Sequence, residues 1–528
     1  MIRSTFYGFG TALSALNASQ KALDVTGNNI ANLNTTGYTR QRLDLHSIPS
    51  TRGQDRYVSK SGNSTAGQGV NMTGISQVRD PFLDIRFRRE AASVGESDAV
   101  LSVLTDISEI FDEVQNEKLN QAIMDFRSQL QIYSGRTNES EIDGVVRAAA
   151  ESLTRMMNQY ARQLDTVRQQ QEYDLENSAI PAVNSILEKI SVLNQGIKEC
   201  EIMGNAALEM KDERNNLIDE LSTYINIEVT SEPDVLFPSV SNLKISFVSD
   251  PPAGDIDPEG RVLVDGKNFA TLKVEKDANT GEWQYFSDRN GDAPISFAEG
   301  SLKGIQDMLN SDGEFEGAAG KTVRGIGYFE KMLDRVAADF AQIFNDANST
   351  DDADLPLFAA SDGGDTITAG NITISEGWKS GTYGLTANKD DIPVGGGQDT
   401  SGAGNNILHM IALLDKKMEF TTTGIATEDT PAAPGSVSLM TGTFEEFFTS
   451  IGNTAALETN SQSSVLSSHT TVLSGIEDLR DGISAVSLDE EGVNLIRYQK
   501  SYAAAARFMT TLDEALNILI SQLGVVGR

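Results

Sequence analysis

Nine side chains recur at alternating steps of three and four near the end of this 528-residue chain: Leu495, Tyr498, Tyr502, Ala505, Met509, Leu512, Leu516, Leu519 and Leu523. All are apolar or aromatic. A stripe of that period is the seam of a coiled coil. A lone helix would leave the stripe in water and forgo roughly 1.5–3 kcal/mol of gross burial for each larger side chain. The helix therefore needs a partner helix, from the same chain or from another copy.

The other end offers one. Leu13, Leu16, Leu23 and Ile30 fall on a single heptad seam, with Gln20 and Gly27 as weaker members. Ala12, Ala15, Ala18 and Ala22 keep that helix thin. Asn32, Asn34 and Gly37 stop it, with turn chemistry at Asn34-Thr35-Thr36-Gly37. Both ends are poor in charge. The first 36 residues carry only Arg3, Lys21 and Asp24, and the last 34 carry six charged side chains. Depletion of charge is what a buried packing surface requires. From this pattern two arrangements stay open: the ends pair with each other, or each packs separately on a globular core.

The rest of the chain is strongly acidic. The net charge is −34; residues 1–90 hold 11 basic and 6 acidic side chains, and the remainder 31 basic and 70 acidic. Such a surface repels phosphate backbones and anionic headgroups, which argues against nucleic acid as a partner. No run approaches the 18 apolar residues of a membrane span, so no membrane insertion is expected. Gly8, Gly10, Thr11, Ser14 and Asn17 interrupt any apolar core of a cleaved secretory signal, and none is expected. Cys200 is the lone cysteine and there are three histidines, so neither a disulfide framework nor a cysteine zinc cluster is available. No cofactor is expected.

Proline placement organises the middle. Between residues 82 and 232 only Pro181 occurs, and none follows Pro434. Proline breaks helix interiors, so these stretches are the helical candidates. Long helical runs are expected over 91–133 and 142–225, the second kinked or divided at Pro181, with shorter ones over 326–348, 405–419 and 444–482. Residues 226–300 alternate with period two, as at Leu243–Phe247 and Phe269–Val274, and carry hairpin turns at Asp265-Gly266 and Asn290-Gly291. The fold class expected is mainly α with inserted β: a long-helix bundle or coiled coil, formed by both termini if the family resemblance described below holds, plus small antiparallel β domains. The division is 1–48 as a terminal coiled-coil region, 49–225 helical body, 226–299 inserted β domain, 300–350 helical body, 351–443 a variable β and loop region with a polar loop over 421–443, 444–488 helical body, and 489–528 a coiled coil, which that resemblance pairs with the N-terminus.

Candidate chemistry is sparse. Asp288-Arg289-Asn290-Gly291-Asp292 lacks the bidentate glutamate of a calcium loop and reads as a hairpin turn. Gly395-Gly396-Gly397 and the Gly402–Gly404 stretch lack a following Lys-Ser/Thr, so no phosphate loop is supported. Ser467-Ser468-His469 has no strand–turn–helix context. Asp489-Glu490-Glu491 reads as a favourable charge cluster at a helix N-terminus. Arg86, Arg88 and Arg89 form a basic cluster suited either to solvent or to the acidic surface of a neighbouring subunit. No arrangement amounts to a catalytic constellation, and the residues favour a structural protein, not an enzyme, whose ends mediate association.

The run Gly27-Asn28-Asn29-Ile30-Ala31-Asn32-Leu33-Asn34-Thr35-Thr36-Gly37-Tyr38-Thr39-Arg40-Gln41 resembles the N-terminal signature of the bacterial flagellar rod, hook and hook-associated protein family. Its Gly-Tyr-x-Arg-Gln ending is most similar to the hook-associated protein 1 branch. Ser487-Leu488-Asp489-Glu490-Glu491, Asn494-Leu495-Ile496-x-Tyr498-Gln499 and Tyr502-x-Ala504-x-Ala506-Arg507 match the same family, and Asp212-Glu213-Arg214-Asn215 through Ser222 resembles its long-helix motif. Thr36 stands where the family usually has proline, and Ala485 where glycine is usual.

The resemblance implies a structural adaptor at the hook–filament junction, extracellular on the flagellum and transiently cytoplasmic before export by the flagellar type III apparatus. The ends would be disordered in the monomer and pair on assembly. The implied partners are hook protein, the second hook–filament junction protein, further copies of the chain in a ring, and a cytoplasmic export chaperone at the C-terminal region. The implied assembly interface comprises Leu13, Leu16, Leu23, Ile30, Asn32, Asn34, Gly37, Tyr38, Leu495, Tyr498, Tyr502, Met509, Leu512, Leu516, Leu519 and Leu523. Other readings are a hook or distal-rod structural protein and, in a different class, a secreted peptidoglycan hydrolase with two carboxylates converging on a cleft.

Overall fold

The computed structural model describes residues 7–48, 69–111, 113–137, 139–234, 236–237, 240–249, 259–317, 323–350, 353–389, 404–426 and 433–523. The chain opens with helix α1 (Tyr7–Ala31) and an antiparallel ribbon of β1 (Gln41–Ser47) and β2 (Val70–Gln77). Five helices follow: α2 (Pro81–Ile110), α3 (Glu113–Ser134), α4 (Ser140–Asp174), α5 (Ile180–Ile202) and α6 (Leu208–Tyr224). Strands β3 (Ile227–Pro233), β4 (Ser241–Phe247), β5 (Val262–Asp265) and β6 (Asn268–Phe269) form one antiparallel sheet in chain order. Strands β7 (Leu272–Lys276), β8 (Trp283–Ser287) and β9 (Pro294–Ile295) form a second. Helices α7 (Ser301–Asn310) and α8 (Ile326–Asn348) lead to the pair β10 (Phe358–Ala360) and β11 (Ile372–Ile374), then α9 (Glu376–Lys379) and α10 (Asn405–Asp415). Strands β12 (Met418–Thr421), β13 (Gly424–Ala426) and β14 (Ser438–Gly442) form a sheet with β12 central. Helices α11 (Phe444–Ser484) and α12 (Leu488–Leu523) close the chain. The fold is thus mainly helical, with small antiparallel sheets and with its two long terminal helices packed together.

Local chemistry sets the boundaries. Asp80 caps α2 by accepting the Phe82 N–H at 2.9 Å, and Pro81 takes the first turn, where a missing donor costs nothing. Thr443 and Glu446 form a reciprocal capping box at the start of α11. The run expected over 91–133 is two helices, because the chain breaks at Phe111, whose ring stacks on Tyr160 at 5.6 Å. The run over 142–225 is three. Leu175–Ala179 form a π turn just before Pro181, which accommodates the proline, and a left-handed Ala207 (φ 48°) precedes α6.

Among the described residues of the polar loop expected over 421–443, Thr421, Gly424–Ala426 and Ser438–Gly442 lie in strands. Phe420 of β12 stacks against Phe447 at 4.5 Å and Phe444 at 5.3 Å, so helix α11 pins strands whose own alternation is weak. A continuous core runs from Val103 to Ala455 and gathers Phe126, Phe340, Phe344, Phe358 and Phe444 around α8. The buried residues of α1 and α12 lie outside it. Helices α2 and α11 pack antiparallel beyond the core: Thr459 Oγ1 donates to the Leu104 carbonyl at 3.2 Å, and Arg480 lies 3.9 Å over the Phe87 ring.

A candidate assembly interface at the paired chain ends

Helices α1 and α12 pack antiparallel. Ser19 Oγ donates to Ser501 Oγ at 3.1 Å midway, and near the far end Gly8 meets Leu512 so closely that a Cβ there would sit 2.9 Å from Leu512 Cδ1. The side of α1 that is covered is a row of small residues: Ala12, Ser19, Ala22, Thr26 and Asn29 are buried at heptad spacing, with Ala18 and Val25 beside them. Small side chains let two helix axes approach closely.

The seam is therefore one residue out of step with the leucine pattern. Leu13 is 53 % exposed, and Leu16, Leu23 and Ile30 are half-buried on the flank of the covered face. On α12, Ala505 is buried, and Tyr498, Met509, Leu512 and Leu516 are half-buried. Leu495, Tyr502 and Leu519 remain exposed, and the side chain of Leu523 lies outside the described residues. One partner helix covers one side only. Val493, Ile496, Phe508, Ile518 and Ile520, which the heptad reading passed over, add to the apolar surface left in water. A contiguous apolar surface of this extent is uncommon on a monomeric soluble protein.

Past α1 the chain enters a polar elbow. Gly37 takes φ +73° in the turn, against the side chain of Asn216. The Tyr38 hydroxyl donates to Asn29 Oδ1 at 3.0 Å and accepts from Asn28 Nδ2 at 3.2 Å. Burial, then the carboxylates of Glu209, Asp212 and Glu491, push the Tyr38 hydroxyl up to about 12, so it stays protonated. The Asn29 amide pairs with both backbone groups of Gln41, at 3.0 Å each, and so starts β1. Asn32 Nδ2 donates back to the Asn28 carbonyl at 3.0 Å, while Asn34 is exposed.

Helix α6 supports the elbow from below. Asp212 accepts from Thr39 N–H at 3.2 Å and from Gln77 Nε2 at 2.8 Å; burial raises its pKa. One turn and more along, Asp219 accepts from Arg88 at 2.8 Å and from Arg480 at 2.6 Å, which joins α2, α6 and α11. Arg40 completes the closure. Its N–H donates to the Ser484 carbonyl at 2.8 Å, and its guanidinium donates to Glu490 at 2.6 Å and Glu491 at 2.9 Å. The acidic cluster at the start of α12 thus does more than favour a helix N-terminus. Asp212, Asp219 and Arg40 stand within the motifs quoted above, but spacing alone gave them no role; their partners lie more than 130 residues away.

The remaining candidates fall elsewhere. Asp288 through Asn290 form the turn between β8 and β9, and His469 Nδ1 lies 2.8 Å from Glu90. Arg88 is buried, while Arg86 and Arg89 are exposed. The Gly395–Gly397 run, and Gly402 with residue 403, lie outside the described residues. Among the described residues, no group of three His, Cys, Asp or Glu side chains is placed to hold a metal, and no helix is long and apolar enough to cross a membrane.

Three families of known proteins match successive parts of the chain. Residues 9–39 match the flagella basal body rod protein family, residues 104–355 the flagellar hook-associated protein FlgK helical domain, and residues 482–523 the C-terminal family of flagellar basal body rod FlgEFG proteins. Flagellar hook-associated protein 1 of Bacillus subtilis is 29% identical over 552 residues, covering 99% of this chain and 100% of that protein. The Salmonella typhimurium and Escherichia coli proteins of the same name are 22% and 23% identical, each covering 97% of this chain and 98% of theirs. The solved structure of the flagellar hook junction protein FlgK from Burkholderia pseudomallei aligns with a TM-score of 0.41 at 15% identity, over 52% of this chain and 46% of that one.

Proposed function

We propose that the chain is a member of the flagellar hook-associated protein 1 family, a family of flagellar structural proteins, and that it is the adaptor that seats on the tip of the hook and receives the filament. The observation that carries the proposal is the pairing of α1 with α12. The rod-protein match falls on one of these helices and the rod C-terminal match on the other, and the pair leaves a long apolar face uncovered.

That face suits a subunit whose ends are finished by neighbours. The proposed neighbours are hook protein on one side, the second junction protein on the other, and further copies of the chain around a ring. The assembly surface would comprise the flank residues Leu13, Leu16, Leu23 and Ile30 and the outer residues Leu495, Tyr502 and Leu519, held in place by Asn32, Asn34, Gly37 and Tyr38. Tyr498, Met509, Leu512 and Leu516 would hold the pair together. Export through the flagellar type III apparatus would require the ends to separate, and an exposed α12 would then need a cytoplasmic chaperone. Pairing one α1 with one α12 before assembly limits the ordering cost that assembly must offset.

Electron microscopy of cells lacking the gene tests the reading. They should carry hooks of ordinary length without filaments, and supplying the chain should restore the filaments. Filaments on unmodified hooks in the deletion strain would overturn it.

A further inference from the structure

The helix pair α2–α11 presents unlike surfaces on its two flanks. On α2, Phe82, Ile85, Arg86 and Arg89 share one face by the 3.6-residue period; Phe82 is 64 % and Ile85 53 % exposed. The Arg86 guanidinium lies 6.0 Å from the Phe82 ring centroid. Neither Arg86 nor Arg89 has a carboxylate partner among the described residues, whereas Arg88 turns inward to Asp219. The same period places Val472, Leu479 and Ile483 of the antiparallel α11, all exposed, on this flank. Two unpaired arginines beside bare aromatic and aliphatic surface are out of place in a chain of net charge −34. Arginine with an aromatic anchor is the composition of an interface centre.

The outward side of α11 is its complement. Glu477, Asp478 and Asp481 are exposed, with no cationic partner among the described residues. Beside them runs a shallow groove of about 700 Å³ lined by Ser463, Ser467, Thr470, Thr471, Ser474 and Asp478. From residue 459 to 476 the helix carries no Asp, Glu, Lys or Arg, so bulky apolar groups meet no buried charge there.

We propose that Phe82, Ile85, Arg86 and Arg89 of one copy seat against the α11 groove of the next, with the arginines facing Glu477, Asp478 and Asp481. The contact is head to tail, the kind that generates a closed ring when the rotation per copy closes. It rests on the junction reading above and adds to it the lateral surface between subunits.

The lone cysteine makes a test direct. In a Cys200→Ser background, Ile85→Cys with Ser474→Cys should give a ladder of disulfide-linked multimers in oxidised flagella, and either cysteine alone should not give that ladder. Filaments joined to hooks by a chain that stays monomeric on oxidation would overturn the contact and leave the junction role intact. A charge series gives an independent readout. Arg86→Glu with Arg89→Glu should cut filament-bearing hooks about tenfold or more, the loss expected when like charges face each other, without moving the melting temperature of the purified chain. Adding Glu477→Lys, Asp478→Lys and Asp481→Lys should restore them. No loss, or no restoration by folded variants, refutes the pairing. Failure of the wild-type chain to restore filaments would instead refute the junction reading.

Discussion

Arg40 donates from Nε to Glu491 Oε1 at 2.9 Å and so binds the exit of the first helix to the start of the last, across 451 residues of sequence. Glu491 is 2 % exposed, and Arg40 is the cation that offsets its burial. Removing one partner of a buried pair leaves the other charge uncompensated, at about 3–5 kcal/mol for a fully buried pair. Because Arg40 is partly exposed, Arg40→Ala is expected to destabilise the paired ends by roughly 2–3 kcal/mol. Hydrogen exchange should show faster exchange in α1 and α12 than in α8. Equal protection of both regions in the variant would count against this coupling.

Gly37 and Gly8 should respond differently to alanine. At Gly37 a Cβ would fall 2.0 Å from Asn216 Nδ2 with φ at +73°, so strain and clash coincide. A loss of about 2–3 kcal/mol is expected. At Gly8 the obstacle is the tip of the Leu512 side chain, which can turn away, and about 1 kcal/mol is expected. Denaturant unfolding of the two variants would rank them, and the reverse order would mean that the elbow is looser than its hydrogen bonds suggest.

Deleting residues 495–528 should leave a folded, soluble body, because the main core from Val103 to Ala455 contains no residue of α12. The truncated chain should melt close to the intact one and fail to join filaments to hooks. Leu512→Asp should do the same with a single change. A large drop in melting temperature for either would place the terminal pair inside the cooperative core.

Glu96 gives a pH dependence. Burial first, then the carboxylates of Asp307 and Glu299, raise its pKa from 4.5 to about 7. The folded state therefore holds a proton that the unfolded state has lost between those values, and stability falls as pH rises from about 4.5 to about 7. Glu96→Gln should remove that fall and stabilise the protein by roughly 1–2 kcal/mol at pH 8, after allowance for solvent screening, with little effect near pH 4. Melting curves at the two pH values decide it; an equal shift at both would point to packing.

The parts of the fold that were legible in the sequence were those written in local periodicity. The helical character of α4, α5 and α12, the strands at Leu243–Phe247 and the stop at Asn32 follow from spacing within a few turns. What was illegible depended on a partner. The leucine row of α1 looked like the seam because leucine is the larger apolar side chain, yet the antiparallel approach of α12 selects Ala12, Ser19, Ala22 and Thr26, one residue away. The strands Gly424–Ala426 and Ser438–Gly442 read as loop because they pair with β12, whose Phe420 packs on Phe444 and Phe447 of the next helix. Asp212 and Asp219 had no visible role until the chain brought Thr39, Gln77, Arg88 and Arg480 to them.

The pairing of α1 with α12 makes the first and last described helices into one surface. On the proposed junction role such a surface acts as a proofreading device. A product that stops between residues 456 and 487 keeps the core from Val103 to Ala455 but lacks α12, and so has only half of the face on which the proposed neighbours would settle. In that role the presence of both helices becomes a condition of admission to the assembly, checked by geometry without any separate inspector.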